Sequence, residues 1–354
     1  MKKILLTGGG TAGHVTPNIA LIPYLKDAGL EIEYMGSYVG IEKTLIEEQG
    51  IPYTGISSGK LRRYIDLKNL TDPARIVKGL HEAKNYLRSH KPDLIFSKGG
   101  FVTVPVILAA AQCHIPVIIH ESDMTPGLAN KLSMPKATKI CYSFPESKEY
   151  FPADKHCIQT GLPVRRELLN GSREKGLSFC GFDGSKPLLM IIGGSLGSLN
   201  INNAVRSALS DLLVQFDIAH ICGAGKTDDS LNTVKGYRQF EYVNAELPDL
   251  MAAADLIISR AGANVIHEIS AICKPSLLIP LGLDQSRGDQ IMNAESFRKR
   301  GFAEVLTEDK MNASSLTASV QAVFDKRQSY IDTMKAADTK DAAAAITDII
   351  LSLL

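Results

Sequence analysis

His14 lies in a glycine-rich stretch whose composition is typical of anion-binding loops. Residues 8–17 are GGGTAGHVTP and stand between an apolar run and a predicted helix. Backbone N–H groups at a helix start bind anions with the help of the helix dipole, and the same dipole disfavours a histidine cation. A neutral imidazole there could take a proton from a hydroxyl group near neutral pH. The alternative is a histidine that only caps or packs the turn.

A second glycine loop, GGSLG at residues 193–197, also lies between a predicted strand and a predicted helix. Its N–H groups and the Ser195 hydroxyl could hold a diphosphate. The first loop could hold a further anion or the charge that develops at a reacting centre. One such loop in each half of the chain suggests a nucleotide sugar that faces a second substrate, with His14 activating a sugar hydroxyl. The alternative is that these glycines only permit tight packing of strand against helix.

Two other enzyme classes share parts of these patterns. Gly8, Gly10 and Gly13 match the dinucleotide fingerprint G-x-G-x-x-G, but the second predicted strand ends YMGS, without the acidic residue that a nicotinamide enzyme needs. The GGSLG loop also matches the nucleophile elbow of α/β-hydrolases, with Asp255 and His267 as the further triad members. His267 lies inside a helical pattern, and the hydrolase hypothesis leaves the first loop unexplained. Because neither enzyme class accounts for its own pattern in full, the interpretation of both loops as phosphate-binding loops is favoured.

The sequence predicts chemistry without a metal ion or a cofactor. It contains no Asp-x-Asp pair, and its eight histidines lack metal-ligand spacing. A departing diphosphate would then be stabilised by backbone amides and by cations. Arg165 is one candidate cation, and a surface salt bridge is the alternative for it.

The composition is that of a soluble globular protein. The 354 residues are 45% hydrophobic and 22% charged, and the net charge of +1 gives no indication of nucleic-acid binding. Six scattered cysteines favour reduced thiols over disulfides or zinc. The apolar start is too short for a signal peptide, and the longest apolar run, residues 102–121, is interrupted by polar residues and a proline, so we expect no membrane span.

Predicted strands alternate with helices along the whole chain, which indicates parallel sheets covered on both faces. The first half contains KILLTGG, EIEYMGS, DLIFSKGG and PVIIHES, and the second half restarts with PLLMIIGGSLG. Each half opens with a strand, a glycine loop and a helix. This predicts two Rossmann-like domains with a hinge near residues 160–166 and with their loops directed into one cleft.

The combined motifs resemble those of the bacterial peptidoglycan N-acetylglucosaminyltransferases. The resemblance runs from about residue 4 to about residue 300 and rests on GGGTAGHVTP, SKGGFV, HESDMTPGLANK, GLPVR, GGSLGSLNIN, SRAGANVIHEI and PLGLDQSRGDQIMNA. It implies an α/β protein of the GT-B fold, with two Rossmann-like domains whose parallel sheets face a central cleft. It also implies metal-independent, inverting transfer of N-acetylglucosamine from UDP-N-acetylglucosamine to the muramoyl 4-hydroxyl of lipid I, which gives lipid II. An epimerase or a lipid glucosyltransferase of the same fold, or a non-enzymatic nucleotide-sugar-binding protein, is the alternative.

The resemblance also implies roles for individual residues. His14 is the general base, with Asp123 as its competitor for that role. The donor contacts fall on Thr11, Ala12, Gly13, Arg165, Ser195, Val243, Glu268, Gln290 and Asn293, with Val243 at the uracil ring and Glu268 at the ribose hydroxyls. Lys98, Gly99 and Gly100 could contact the diphosphate of the acceptor. We expect an acceptor domain at 1–162, a donor domain at 163–337, and a helix at 338–354 that packs back on the first domain.

The sequence departs from the family pattern at several of these places. Ala12 replaces a glycine, Asp123 stands where asparagine is frequent, Leu162 replaces asparagine and Asp289 replaces glutamine. Ala12 is tolerable only if its φ angle stays negative. The carboxylate of Asp123 is what leaves the identity of the base open.

Residues 60–91 carry nine Lys or Arg against three Asp or Glu, which stands out in a nearly neutral chain. Interleaved Leu, Ile, Val and Tyr give this stretch an apolar face with a cationic surround, which suits an anionic lipid surface. A solvated helix face is the alternative. We expect a peripheral protein at the cytoplasmic face of the cell membrane, with UDP-N-acetylglucosamine, lipid I and anionic lipid as its partners.

Overall fold

The computed structural model describes residues 1–59, 72–194, 196–283, 286–337 and 341–354. By its internal contacts the chain divides into two compact units. The first unit comprises Met1–Arg165 and Lys340–Leu354, and the second comprises Arg166–Thr339. The predicted α/β class with two Rossmann-like domains is confirmed.

The first unit contains a seven-stranded parallel sheet in the order β3-β2-β1-β4-β5-β6-β7. Hydrogen-bond registers such as Leu5 with Glu33 and Leu5 with Ile95 place β1 between β2 and β4. The described elements in chain order are β1 (Lys3–Thr7), α1 (Ala12–Asp27), β2 (Glu31–Ser37), α2 (Ile41–Glu47), β3 (Tyr53–Ile56), α3 (Asp72–His90), β4 (Leu94–Ser97), α4 (Thr103–Gln112), β5 (Val117–Glu121), α5 (Leu128–Ser133), β6 (Lys139–Tyr142) and β7 (His156–Gln159).

The second unit contains a six-stranded parallel sheet in the order β10-β9-β8-β11-β12-β13. Its described elements in chain order are α6 (Arg173–Cys180), β8 (Leu188–Ile192), α7 (Leu199–Ser207), α8 (Leu209–Gln215), β9 (Asp217–Ile221), β10 (Tyr237–Phe240), α9 (Leu247–Ala253), β11 (Leu256–Ser259), α10 (Ala263–Ala271), β12 (Ser276–Leu278), α11 (Asp289–Lys299), β13 (Glu304–Val305), α12 (Ala313–Asp325) and α13 (Arg327–Ala336). The order of its strands is the Rossmann order.

The central strands are buried on both faces, which explains their nearly continuous apolar sequences. In the first unit one core cluster contains Ile4, Leu6 and Phe96, and it continues into the last helix, α14 (Ala342–Leu351), through Ile346 and Ile350. The hydroxyl of Tyr24 on α1 also donates a hydrogen bond of 2.6 Å to Asp341, the N-cap of α14. The end of the chain therefore completes the core of the first unit.

In each sheet the chain reverses its direction of winding at the first strand, and ligands of such sheets bind beyond the carboxyl ends of the strands there. In the first unit the loops after β1 and β4 meet at this point, since a Cβ added to Gly100 would lie 2.2 Å from the carbonyl oxygen of Gly9. Gly100 also has a φ of +91°, so the position strongly favours glycine. The topology thus positions both glycine loops of the sequence at the usual binding edge of their sheets.

Candidate functional site

The glycine loop after β1 is held from behind by a buried carboxylate on α2. Glu42 has no exposed surface, and its Oε2 accepts a hydrogen bond of 3.2 Å from the N–H of Gly10. Its Oε1 accepts a hydrogen bond of 3.2 Å from the N–H of Ser37, at the end of β2. A Cβ on Gly9 would lie 2.6 Å from the same carboxylate. One backbone N–H of the loop, that of Gly10, is therefore already bonded to a side chain of the protein itself.

His14 lies in the first turn of α1 and is half-buried. Its Nδ1 is 3.1 Å from the hydroxyl of Thr11, and its backbone N–H donates to the Thr11 carbonyl at 3.1 Å. Thr11 is the N-cap of α1, and Thr11 and Gly13 are both exposed. Ala12 is the first helical residue and does not have a positive φ, so its methyl group is tolerated here. The Thr11 hydroxyl orients the imidazole through Nδ1.

Two buried polar side chains support the residues before this loop. The Tyr34 hydroxyl donates to the carbonyl of Gly8 at 2.9 Å, and Asn18 Nδ2 donates to the carbonyl of Thr7 at 3.2 Å. Burial raises the pKa of Tyr34 far above its usual range, so the phenol remains a neutral donor. These contacts hold the end of β1 in a fixed position relative to α1.

A second cluster of polar side chains in the first unit lies at the carboxyl ends of β4 and β5. Lys98 is 1% exposed, and its Nζ lies 2.6 Å from His120 Nδ1 and 2.6 Å from the Ser122 hydroxyl. Asp123 follows in the same loop and is half-buried, whereas Gly99 and Gly100 are buried. The residues predicted to serve the acceptor thus share one edge of the sheet with the loop that carries His14.

A pocket of about 570 Å³ lies against the second glycine loop, entirely within the second unit. Its walls include Gly193, Gly194, Gly197, Lys226, Arg260 and Gln290. Gly194 and Gly197 have φ angles of +90° and +67°, and a Cβ on Gly197 would lie 1.9 Å from the carbonyl oxygen of Cys222. The loop therefore needs glycine both for its conformation and for its packing against the end of β9. Ser195 lies outside the described residues.

Arg260 brings a buried positive charge to the wall of this pocket. The residue is 6% exposed, and its guanidinium lies 2.6 Å from the Glu308 carboxylate and 2.7 Å from the Ser198 hydroxyl. It also donates to the carbonyl of Ile279 at 3.1 Å. Ser198 is the N-cap of α7, and its hydroxyl accepts from the N–H of Ile201. Arg260 thereby connects the glycine loop, β12 and the segment that precedes α12.

A lysine that sequence reasoning missed braces the glycine loop. Nζ of Lys226 donates to the carbonyl of Leu196 at 2.6 Å and lies 3.3 Å from the carbonyl oxygen of Gly197. Glu42 and Arg260 were missed in the same way. Arg260 was part of a quoted motif, SRAGANVIHEI, and a charged residue directly after a buried strand was the signal that could have identified it.

The predicted donor residues of the second unit are distributed around this pocket. Gln290 lines it, and its Oε1 accepts from the N–H of Leu281 at 3.2 Å. Asn293 has no exposed surface, and its Nδ2 donates to the carbonyl of Ala261 at 3.3 Å. Glu268 is 8% exposed on α10, one turn after Val265, which lines the pocket. Val243 is buried in the loop after β10. Arg165 is half-buried and is the last residue of the first segment of the first unit.

The hydrolase hypothesis fails on geometry. Asp255 accepts from the N–H of Leu188 at 2.8 Å and pairs with Arg173 at 2.9 Å, at the start of β8. The GGSLG loop follows the other end of that five-residue strand, roughly 15 Å away. Nδ1 of His267 is 2.8 Å from the Ala263 carbonyl of its own helix. These residues therefore cannot form a triad with the loop.

The described part of the basic stretch is α3 and Lys91, since residues 60–71 lie outside the described residues. Gly79, Ala83 and Leu87 form the buried side of α3. Its exposed residues include Arg75, Lys78 and Arg88, with Val77 66% exposed among them. The outward face of α3 is therefore both cationic and partly apolar.

Two features are absent from the residues that the structure describes. No helix among them combines the length and the apolar character that crossing a bilayer requires. Within the same ranges, no three His, Cys, Asp or Glu side chains are grouped so that they could hold a metal ion.

Comparison with known proteins gives full-length matches. Residues 4–142 match the glycosyltransferase family 28 N-terminal domain, and residues 188–349 match the glycosyltransferase family 28 C-terminal domain. A protein of Lachnospira eligens named UDP-N-acetylglucosamine--N-acetylmuramyl-(pentapeptide) pyrophosphoryl-undecaprenol N-acetylglucosamine transferase is 57% identical over 99% of both chains. A protein of the same name from Lachnoclostridium phytofermentans is 56% identical over 99% of this chain and 98% of its own. The crystal structure of Acinetobacter baumannii MurG matches with a TM-score of 0.78 at 25% identity, over 99% of this chain and 100% of its own.

Proposed function

This chain belongs to glycosyltransferase family 28, and from that premise we propose that it transfers N-acetylglucosamine from UDP-N-acetylglucosamine to the muramoyl 4-hydroxyl of lipid I, undecaprenyl-diphospho-N-acetylmuramoyl-pentapeptide. The product is lipid II, a precursor of peptidoglycan. The observation that carries the proposal is the similarity, over 99% of the chain, to a protein named as the transferase of this reaction.

The second unit takes the donor. The pocket beside the second glycine loop is large enough for part of a nucleotide sugar, and the first residues of α7 line it. N–H groups of the loop and of the helix start would hold the diphosphate, together with Ser195. Arg165 supplies a cation, Glu268 accepts hydrogen bonds from the ribose hydroxyls, and the backbone of Val243 meets the uracil ring. Gln290 contacts the sugar directly, and the buried Asn293 fixes the loop that Gln290 also touches.

The first unit takes the acceptor and removes its proton. The oxygen of the muramoyl 4-hydroxyl forms a bond to the anomeric carbon, while the bond from that carbon to the diphosphate oxygen breaks and UDP leaves with the electron pair. The hydroxyl proton passes to His14 or to Asp123. When Nδ1 of His14 donates to the Thr11 hydroxyl, Nε2 carries the lone pair that a general base needs. Attack opposite the departing UDP inverts the anomeric configuration.

The acceptor is a lipid, so the protein has to reach a membrane surface. The cationic outward face of α3 suits the anionic inner leaflet, and Val77 suits the boundary between head groups and acyl chains. We therefore place the protein at the cytoplasmic face of the membrane as a peripheral enzyme.

The direct test uses the purified full-length chain, UDP-N-acetylglucosamine labelled in the sugar, and a short-chain lipid I analogue. We expect the label to enter the lipid fraction and one UDP to be released for each sugar transferred. The matched control is an analogue that lacks the muramoyl 4-hydroxyl, which should receive no label. An epimerised UDP-sugar formed without acceptor, or transfer only from UDP-glucose, would replace the proposal by one of the alternative enzymes. Binding of the donor without turnover would indicate a non-enzymatic protein.

Membrane binding is tested separately by sedimentation with lipid vesicles. We expect binding to vesicles that contain phosphatidylglycerol and little binding to neutral ones. Changing Arg75, Lys78 and Arg88 to glutamine should weaken binding by roughly a hundredfold, since each basic residue contributes about 1 kcal/mol. The matched control changes three exposed lysines of the second unit, Lys175, Lys235 and Lys310. Equal loss in both triple variants would show that α3 is not the contact surface.

A further inference from the structure

The loop between β2 and α2, residues 38–40, presents large apolar side chains to solvent. Val39 is 92% exposed, Tyr38 is 52% exposed, and Ile41, the first residue of α2, is 51% exposed. Single exposed apolar residues are common on soluble proteins, but three of them within four positions form a local apolar patch. We call Tyr38, Val39 and Ile41 the loop tip.

The main chain that leads into the loop tip is held from beneath. Glu42, which has no exposed surface, accepts from the N–H of Ser37 at 3.2 Å and from the Ser37 hydroxyl at 2.5 Å. The carbonyl of Ser37 accepts from the Tyr53 hydroxyl at 2.5 Å. A segment that is already ordered loses little conformational entropy when it docks on a partner. The loop tip is therefore both exposed and preorganised.

The loop tip lies beside α3, the helix whose outward face is cationic. The Tyr38 hydroxyl donates to Glu82 Oε1 on α3 at 2.8 Å, and a Cβ on Gly55 would lie 2.8 Å from the Tyr38 ring. Glu82 also accepts from the N–H of Ser57 at 2.7 Å and lies 3.7 Å from the ammonium group of Lys78. The carboxylate of Glu82 is thus engaged by its own neighbours. The apolar loop tip and the basic residues of α3 form one continuous surface.

The same loop is joined to the candidate site. Glu42 accepts from the N–H of Gly10 at 3.2 Å, in the loop that leads to His14. β2 is the neighbour of β1 in the sheet, and both loops follow the carboxyl ends of their strands. In the proposed acceptor only a diphosphate separates the sugar from the lipid chain, so the reacting hydroxyl stays close to the membrane. An acceptor that reaches His14 therefore brings the membrane close to this edge of the sheet.

We propose that the loop tip inserts into the boundary between head groups and acyl chains of an anionic bilayer, while the basic face of α3 binds the head groups. This inference rests on the proposed function and extends its membrane surface from α3 to a second element. Burial of the apolar side chains among the acyl chains is favourable, and the basic residues add attraction to anionic lipid. Tyr38 suits this position because tyrosine rings are enriched at the boundary between membrane and water.

The decisive experiment uses the absence of tryptophan from the sequence, because a single introduced tryptophan then reports only its own surroundings. Full-length Val39→Trp is compared with Val214→Trp, at a valine on α8 of the second unit that is 78% exposed. With vesicles that contain phosphatidylglycerol, we expect the emission of Val39→Trp to shift to shorter wavelength and to be quenched by lipids brominated on their acyl chains. Val214→Trp should show neither change.

Two outcomes of this experiment would overturn the proposal. One is an equal response, or none, in the two tryptophan variants. The other is a response of Val39→Trp that appears only after a lipid I analogue is added, since the loop tip would then contact the acceptor chain and not the bilayer.

A second measurement removes the apolar side chain by Val39→Asp, with Val214→Asp as the matched control. In sedimentation with the same vesicles we expect Val39→Asp to bind roughly tenfold more weakly, as for the loss of one buried apolar side chain, and the control to bind like the wild type. Both melting temperatures should equal that of the wild type, because both valines are exposed. Binding of Val39→Asp equal to that of the wild type would overturn the proposal. These measurements need neither substrate, so a failed transfer assay would refute the proposed function and leave their result separate.

Discussion

The carboxylate of Glu42, on α2, accepts a hydrogen bond of 3.2 Å from the backbone N–H of Gly10, in the loop after β1. An amide that is used in this way does not serve a phosphate of a substrate. Glu42 therefore fixes the path of the loop that leads into α1 and to His14.

Replacing Glu42 by alanine should leave the N–H groups of Gly10 and Ser37 without their carboxylate. We expect the free energy of unfolding to fall by about 2 kcal/mol, the usual cost of leaving partners of a buried charged group unpaired. Turnover should fall as well, because the loop that carries His14 loses its support. Urea denaturation and the transfer assay measure the two effects. Glu47→Ala, at an exposed position of the same helix, is the control, and equal stability of the two variants would contradict this role of Glu42.

Replacing His14 by alanine should lower turnover by roughly a hundredfold or more, the scale of a lost general base. The affinity for UDP should stay unchanged, because the proposed donor pocket lies in the second unit. Isothermal calorimetry measures the affinity, and the transfer assay measures kcat. The same pair of measurements on Asp123→Asn compares the two candidate bases. Unchanged turnover in His14→Ala would remove this residue from the mechanism.

Much of this arrangement follows from the sequence. The apolar runs that end in glycine, serine or another polar residue correctly predicted β1, β2, β4 and β5, because buried parallel strands produce such runs. The sequence placed His14 in a loop before the first predicted helix, but α1 begins at Ala12, so His14 is helical. The strands β3, β6, β7 and β13 were missed, since they lie at or next to the edges of their sheets and mix polar with apolar residues.

The supporting charges of the site were harder to predict than its loops. Glu42 approaches Gly10 across 32 positions of sequence, and Arg260 meets Glu308 across 48. Their spacing contains no local signal, because the contacts arise from the order of strands in the sheet and from the helices that connect them. A single sequence identifies such residues only as charges in helices or loops, and the fold then shows that they are buried.

Replacing Glu268 by alanine should weaken the binding of UDP by roughly thirtyfold, the range for a lost hydrogen bond to a charged group. Calorimetry with UDP checks the affinity, and the melting temperature checks that the second unit remains folded. The control is Glu295→Ala, because Glu295 is a partly exposed carboxylate of the same unit that pairs with Arg298 at 2.6 Å. Equal affinity in Glu268→Ala and in the control would contradict the ribose role.

The buried imidazole of His220 should make the stability of the second unit dependent on pH. Burial, with a smaller contribution from the nearby Arg206, lowers the pKa of His220 to about 3. The ring lies 2.8 Å from the Tyr237 hydroxyl and 3.0 Å from Asn202 Oδ1, and both contacts suit the neutral form. The unfolded chain, with an ordinary histidine pKa near 6.5, therefore binds a proton that the folded chain does not.

This difference stabilises the fold fully above about pH 6.5, and the stabilisation is lost progressively as the pH falls toward the folded value of about 3. At about pH 4.5 the loss should be roughly 2 to 3 kcal/mol relative to neutral pH. Urea denaturation of the wild type and of His220→Gln over this range isolates the effect, since all other titrating groups are common to both proteins. We expect His220→Gln to be less stable at neutral pH, because it loses two buried hydrogen bonds, and to lose less stability on acidification. Parallel curves for the two proteins would show that His220 is not neutral in the folded state.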